Sequence, residues 1–263
     1  MQTSLRGIVN KARADRHHRF GNLFGLLNEE GLRSCWRLIN TRAASGVDRV
    51  TAREYAKDLV ANVGRLVERL KRGSYRAKLV RRRHIPKEGG RTRPLGIPAV
   101  EDKLLQTAAA RILGAIYEQD FLPCSWAYRQ GRGAREAVRT LTQELQFGCY
   151  GYVVEIDIRG FFDHIDHDWM LRMLEVRVAD RPFLRLIRKW LKAGVLEEDG
   201  QVLHPEAGSP QGGSISPILA NIYLHYVLDE WFEMVVKPRL KGEAYEIRFA
   251  DDFMLCFPYR EDA

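Results

Sequence analysis

Long apolar runs are missing from the 263-residue chain: nowhere do the ~20 consecutive apolar residues of a bilayer span occur. The opening stretch MQTSLRGIVNKARADRHHRF has no continuous apolar core of the kind a secretory signal carries. Cysteine is scarce, and Cys35, Cys124, Cys149 and Cys256 lie far apart with no paired metal-ligand spacing. That argues against a zinc ribbon or a disulfide framework and for reduced thiols, so the expected location is cytoplasmic, with no membrane partner. The histidines are no better spaced for a metal: His17 and His18 read as surface residues, and His84, His164, His167, His204 and His225 stand alone. Internal repeats and low-complexity linkers are absent too, which removes solenoids and tethered arrays. Acid is the minority charge: 34 Asp and Glu face 42 Lys and Arg, a net charge of +8 with pI near 9.4. That balance suits a polyanionic partner without naming one. With 45% hydrophobic residues, the length suits one large domain or two subdomains with a real core.

What is present is a mixed pattern. In 53–72, Leu59, Val63, Leu66, Val67 and Leu70 recur at helical spacing, and RGSY then stops the helix. The same period marks 102–118, 134–145, 166–176, 181–193 and a long segment from Pro217 to Val236. Residues 78–97 read instead as two short strands around a Glu-Gly-Gly turn, a basic hairpin. YVVEIDI is rich in β-formers, and YEIRFADDFMLCF reads as strand, tight turn, strand. This order predicts an α+β fold, with an antiparallel sheet and packed helices, over a regular βαβ repeat.

The last strand pair poses the chemical question. Asp251 and Asp252 interrupt apolar runs that point toward a core, and carboxylates are seldom buried without a partner. Asp157 sits between Ile156 and Ile158, so strand alternation sends it to the opposite face from both. If Asp157 and Asp251 meet across adjacent strands, their like charges need help to ionise together. A divalent cation supplies it. Mg²⁺ takes oxygen ligands, and two ions roughly 3.5–4 Å apart can activate an attacking hydroxyl and stabilise a leaving pyrophosphate. The plain alternative is that Asp251 and Asp252 are ordinary turn residues. Asp163, Asp166 and Asp168 read as solvated or helix-capping groups.

EIDIRGFFDHID, GSPQGGSISPILANIYL and IRFADDFMLCF, in that order, resemble the central motifs of reverse transcriptases, in the variety carried by bacterial group II introns. RRHIPKEGGRTRPLGIP resembles that family's fingers motif and SWAYRQGRGAREAV its next one, while ASGVDRVTAREY and RLKRGSYRAKLV fit its N-terminal extension. Two departures stand out. Phe249 occupies a position where the family more often has Tyr, and WAYRQGRG replaces a Gly-Phe-Arg-like run. Family members continue past the ADD motif into the rest of the palm, a helical thumb and usually a maturase region. The resemblance therefore implies the fingers and most of the palm of a right-hand polymerase. It divides the chain into a helical extension (1–75), fingers with the basic hairpin (76–147) and palm (148–263).

The resemblance implies an RNA-directed DNA polymerase working on an RNA template, a DNA primer and dNTPs, with intron RNA as a further partner. Asp157 and Asp251 would hold two Mg²⁺ ions (Mn²⁺ can substitute), Asp252 would support them, and the main-chain carbonyl of Ile158 would complete one shell. Lys87 and Arg93 fall at triphosphate-contacting positions, Gln211 beside the incoming nucleotide, Gly212 where substrate packs closely and Phe162 under the sugar. Arg81, Arg82 and Arg83 would touch template phosphates, and Arg129 the template strand. Each has a bland reading. Eight Lys and Arg against one Glu in 76–93 also make a solvated face, GSPQGG also makes a plain turn, and Phe161 and Phe162 also make core. A palm edge without later strands favours a homodimer. Two other functions fit the motifs: an RNA-binding maturase piece that does not polymerise alone, and a reverse transcriptase attached to a CRISPR adaptation system.

Overall fold

In the computed structural model, residues 2–86, 90, 92–209 and 212–263 are described. Their elements run α1 (Gln2–Ala14), α2 (Glu29–Trp36), α3 (Ala52–Lys57), α4 (Leu59–Lys71), β1 (Val80–Pro86), β2 (Thr92–Ile97), α5 (Val100–Tyr117) and α6 (Ala134–Phe147). They continue with β3 (Tyr152–Asp157), α7 (His167–Arg177), α8 (Arg181–Leu191), β4 (Val195–Leu196), β5 (Val202–Leu203), α9 (Ser216–Leu224), β6 (Tyr245–Phe249) and β7 (Asp252–Phe257). The α+β class is as expected. By compactness the chain forms two units, 1–119 with 162–216, and 120–161 with 217–263. These bounds differ from divisions at 75 and 147, because strand pairing distant in sequence draws 195–203 to the hairpin.

In the first unit, caps explain the helix starts. Asn28 Oδ1 accepts from Gly31 N at 2.9 Å, and Thr51 with Glu54 forms a capping box on α3. The single helix expected over 53–72 is broken at Asp58, whose backbone (φ −122°, ψ 41°) leaves the helical region. The core centres on α5, where Leu104, Leu105, Ala108, Ile112 and Ile116 are fully buried. The basic hairpin is real: β1 and β2 pair antiparallel, with Arg83 opposite Leu95. It belongs to a four-stranded sheet, order β2-β1-β4-β5, in which Val80 pairs in parallel with Val195. Strands β4 and β5 are only two residues each and leave no periodicity to read.

The second unit is a three-stranded antiparallel sheet, order β3-β7-β6, with helical segments. Phe232, Ala244 and Phe257 form one buried cluster there. The helix expected from Pro217 to Val236 starts at Ser216 and widens into π-helical turns at His225–Asp229 and Phe232–Val236. Among the described residues no helix is long and apolar enough to cross a membrane.

Candidate active site

The acidic site lies entirely within the second unit. Antiparallel pairing of β3 with β7 puts Asp157 directly opposite Asp252. Phe249 also pairs with Asp252, so the β6–β7 hairpin turns on only two residues, Ala250 and Asp251. Ala250 has φ +62°, the left-handed backbone that primed hairpin turns require and that Gly or Asn usually supplies. An alanine there stores strain, a common feature of functional turns. The amide of Ile158 donates to the Asp251 carbonyl at 3.3 Å, tying the turn to the end of β3.

This register corrects two expectations. The cross-strand partner of Asp157 is Asp252, not Asp251, because a two-residue turn consumes Asp251. Nor are the carboxylates buried: Asp157 and Asp252 are exposed and Asp251 is half-buried, since all three lie where strands end. Partial desolvation, followed by the negative charges of Asp157 and Asp251, raises the pKa of the Asp252 carboxyl above its ordinary value. Among the described residues no Lys or Arg forms an ion pair with any of the three. An all-oxygen donor set, uncompensated charge and open access fit a hard divalent cation. The Ile158 carbonyl already accepts from Phe161 N at 3.2 Å and keeps its second lone pair for such an ion.

Arg248 holds the turn, and the motif reading overlooked it. It is fully buried. Its Nε and Nη2 fork onto the two oxygens of Asp229, each at 2.6 Å. Nη1 donates to the Ala250 carbonyl at 3.0 Å and to Asn221 Oδ1 at 3.3 Å, and Nη2 to Ser125 Oγ at 2.9 Å. Its backbone amide donates to Cys124 O and its carbonyl accepts from Trp126 N. An arginine inside an apolar strand, directly before the acidic turn, was the available signal.

Among the described residues one trio brings potential ligand atoms within 4.8 Å of one another, and it is a different one: Cys124, Asp229 and Glu246. There the guanidinium of Arg248 already occupies Asp229. Burial first, then the charge of Asp229, raises Glu246 to about 7.

The remaining expected residues separate. Lys87 and Gln211 lie outside the described residues. Arg93 is exposed on the hairpin opposite Ile85. Arg82 pairs with Glu197 (3.1 Å) and Arg83 with Glu198 (3.3 Å), so the β4–β5 hairpin neutralises part of the basic stripe. Arg129, expected at the template strand, lies in the second unit. It is buried, donates to the carbonyls of Leu122 (2.9 Å) and Ser125 (2.8 Å), and stands 5.3 Å over the Phe121 ring. Its role is to pin the 122–125 loop. Gly212 has φ +102°, and a Cβ there would lie 2.6 Å from the Gly96 carbonyl oxygen. The chain's own backbone is by itself enough to demand glycine there. Phe161 and Phe162 are both buried, Phe161 edge-on to Tyr223, while the carbonyl of Phe162 accepts from Ser209 N.

Residues 85–263 match the family model described as "Reverse transcriptase (RNA-dependent DNA polymerase)". The chain is similar to the group II intron-encoded protein LtrA of Lactococcus lactis subsp. cremoris, 42% identical over 185 residues, covering 70% of this chain and 30% of that protein. It is 34% identical over 209 residues to protein YkfC of Escherichia coli K12, covering 78% of this chain and 53% of that one. It therefore spans about a third to a half of the length of these relatives. Among solved structures, a chain of a partial Cas6-RT-Cas1–Cas2 complex superposes with TM-score 0.55 at 24% identity, over 92% of this chain and 39% of that one. At that identity the likeness shows the fold alone.

Proposed function

Because the chain belongs to the reverse transcriptase family, and its sequence is of the group II intron type, we propose that Asp157, Asp251 and Asp252 form the nucleotidyl-transfer site of an RNA-directed DNA polymerase. The observation that carries this reading is a set of three carboxylates at one end of a sheet with, among the described residues, no Lys or Arg paired to them. Reverse transcriptases act on nucleic acid and use divalent metal ions. Here we propose Mg²⁺, held by Asp157 and Asp251 with Asp252 and the Ile158 carbonyl in support. Bound there, the ions would acidify a primer hydroxyl and stabilise departing pyrophosphate. The chain's own part is to hold the oxygen donors on a stiff hairpin, with Arg248 fixing the turn from behind and the Ile158 amide fixing it from the side. No side chain at the site is placed as a general base.

An RNA template, a DNA primer, dNTPs and intron RNA are proposed as substrates and partners, in a cytoplasmic setting. Arg93, Lys87 and Gln211 are proposed at the nucleotide, and Phe162 at its sugar. Exposed Tyr152 and Val153 on the outer edge of β3 are the proposed place of self-association. The functional test is primer extension on an RNA template. Asp157→Asn and Asp251→Asn should each abolish extension while RNA binding persists, and substantial extension by either variant would remove the assignment.

A further inference from the structure

A cavity of about 360 Å³ opens within the first unit, between the end of α4 and one face of α8. That volume is within the ordinary range of small-ligand sites, about 300–1,000 Å³. Its wall divides by chemistry. Phe24 and Pro182 give it apolar surface, and Tyr75 closes its floor. Lys71, Arg185 and Lys189 supply three cations, and no carboxylate lines it. Pro182, Arg185 and Lys189 are spaced by three and four residues on α8, so they share one helix face. Among the described residues neither Lys71 nor Arg185 has an acidic partner, and both are exposed. The acid that caps that helix, Asp180, is buried and already accepts from the amides of Phe24 (2.8 Å) and Phe183 (3.0 Å).

Lys189 is held in place rather than free to swing away. Its ammonium donates to the Tyr75 carbonyl at 2.8 Å and stands 5.7 Å over the Tyr75 ring. Desolvation, then the like charges of Arg76 and Arg185, draws its pKa below the ordinary lysine value. An anion entering the cavity would relieve that repulsion. Convergent cations beside an apolar wall are the complement of a phosphate joined to a flat ring. An arginine adds a planar fork suited to phosphate oxygens.

We propose that this cavity binds one unstacked nucleotide of a single-stranded RNA, its phosphate among Lys71, Arg185 and Lys189 and its base against Phe24 and Pro182. A phosphoserine or phosphothreonine peptide would use the cations but bring no ring to the apolar wall, and RNA, with a base and a phosphate in every nucleotide, is the favoured occupant. The site is independent of the carboxylate site and shares no residue with it.

The experiment uses the chain as it stands. A short single-stranded RNA carrying 4-thiouridine is cross-linked and the attachment mapped, and its affinity is measured by anisotropy with AMP, adenosine and inorganic phosphate as competitors. Cross-links should fall at Phe24 or within 181–189, AMP should displace the cross-link, and inorganic phosphate should do so far less well. Lys71→Glu with Arg185→Glu should remove the cross-link and weaken RNA binding by on the order of tenfold. Both residues are exposed, and Mn²⁺ binding by the Asp157 site should be unchanged, which separates failure here from failure of the polymerase reading. Phe24→Ala should weaken AMP but not phosphate. Phosphate competing as well as AMP would make the cavity a bare anion patch, and an acidic peptide displacing the RNA more tightly than AMP would make it a protein-docking site. Either result, or unchanged cross-linking in the double variant, overturns the proposal.

Discussion

Replacing Arg248 with methionine keeps an unbranched apolar stem but deletes the guanidinium and its charge. Asp229 is then left fully buried with neither of its two 2.6 Å guanidinium bonds. Breaking one half of a buried ion pair typically costs about 3–5 kcal/mol, against a total stability of about 5–15 kcal/mol for a domain. With a urea dependence of about 2 kcal/mol per molar, a loss of about 4 kcal/mol moves the unfolding midpoint down by about 2 M. The double variant Arg248→Met with Asp229→Leu leaves no stranded charge, so it should regain most of that loss. Because Nη1 also holds the Ala250 carbonyl, both variants should bind Mn²⁺ more weakly than the parent even where stability is recovered. Arg248→Lys should fall between, since an ammonium cannot fork onto two oxygens. Urea titrations followed by fluorescence check the first part. A single-variant cost below about 1 kcal/mol, or a double variant as unstable as the sum of its parts, would refute the reasoning.

Glu246 makes a pH-dependent contribution. The native carboxyl keeps its proton up to about pH 7, whereas the unfolded one releases it near the ordinary glutamate value of 4.5. The native state thus binds more protons in that window, and stability should fall as pH rises from about 4.5 to about 7, by at most about 3 kcal/mol. Asp102, raised to about 6 by burial, acts in the same direction over a lower window, so Glu246→Gln should flatten the upper part of a Tm–pH curve and leave the lower part. Gly212→Ala should destabilise the chain or displace the loop by forcing a Cβ against the Gly96 carbonyl at φ +102°, and a Tm within a degree of the parent would show the loop to be free there. Since Glu197 and Glu198 already pair with Arg82 and Arg83, Glu197→Gln with Glu198→Gln should raise RNA affinity and steepen its salt dependence, read from log affinity against log salt.

The α+β class, the basic hairpin and the strand-turn-strand carrying the acidic pair were legible because each rests on a local period. Register was not. Alternation tells which face Asp157 occupies, but only the length of the ADD turn decides that Asp252 stands opposite it. Side-chain roles set by packing were equally hidden. Arg129 reads as an available cation until its donors are seen on the Leu122 and Ser125 carbonyls. Nothing in the sequence around Gly212 shows that Gly96 packs against it. The two-residue strands β4 and β5 have no periodicity, so their acids' claim on Arg82 and Arg83 could not be foreseen.

Asp157, Asp251 and Asp252 are proposed to hold a divalent cation. Mn²⁺ titrated into the chain and followed by water-proton relaxation tests it most directly. Saturable binding should be lost in Asp157→Asn and in Asp251→Asn, weakened in Asp252→Asn, and untouched in Glu246→Gln, with metal raising the Tm of the parent and of Glu246→Gln but not of Asp157→Asn or Asp251→Asn. Binding that survives Asp157→Asn and Asp251→Asn but disappears in Glu246→Gln would place the metal at the buried trio instead and contradict the account.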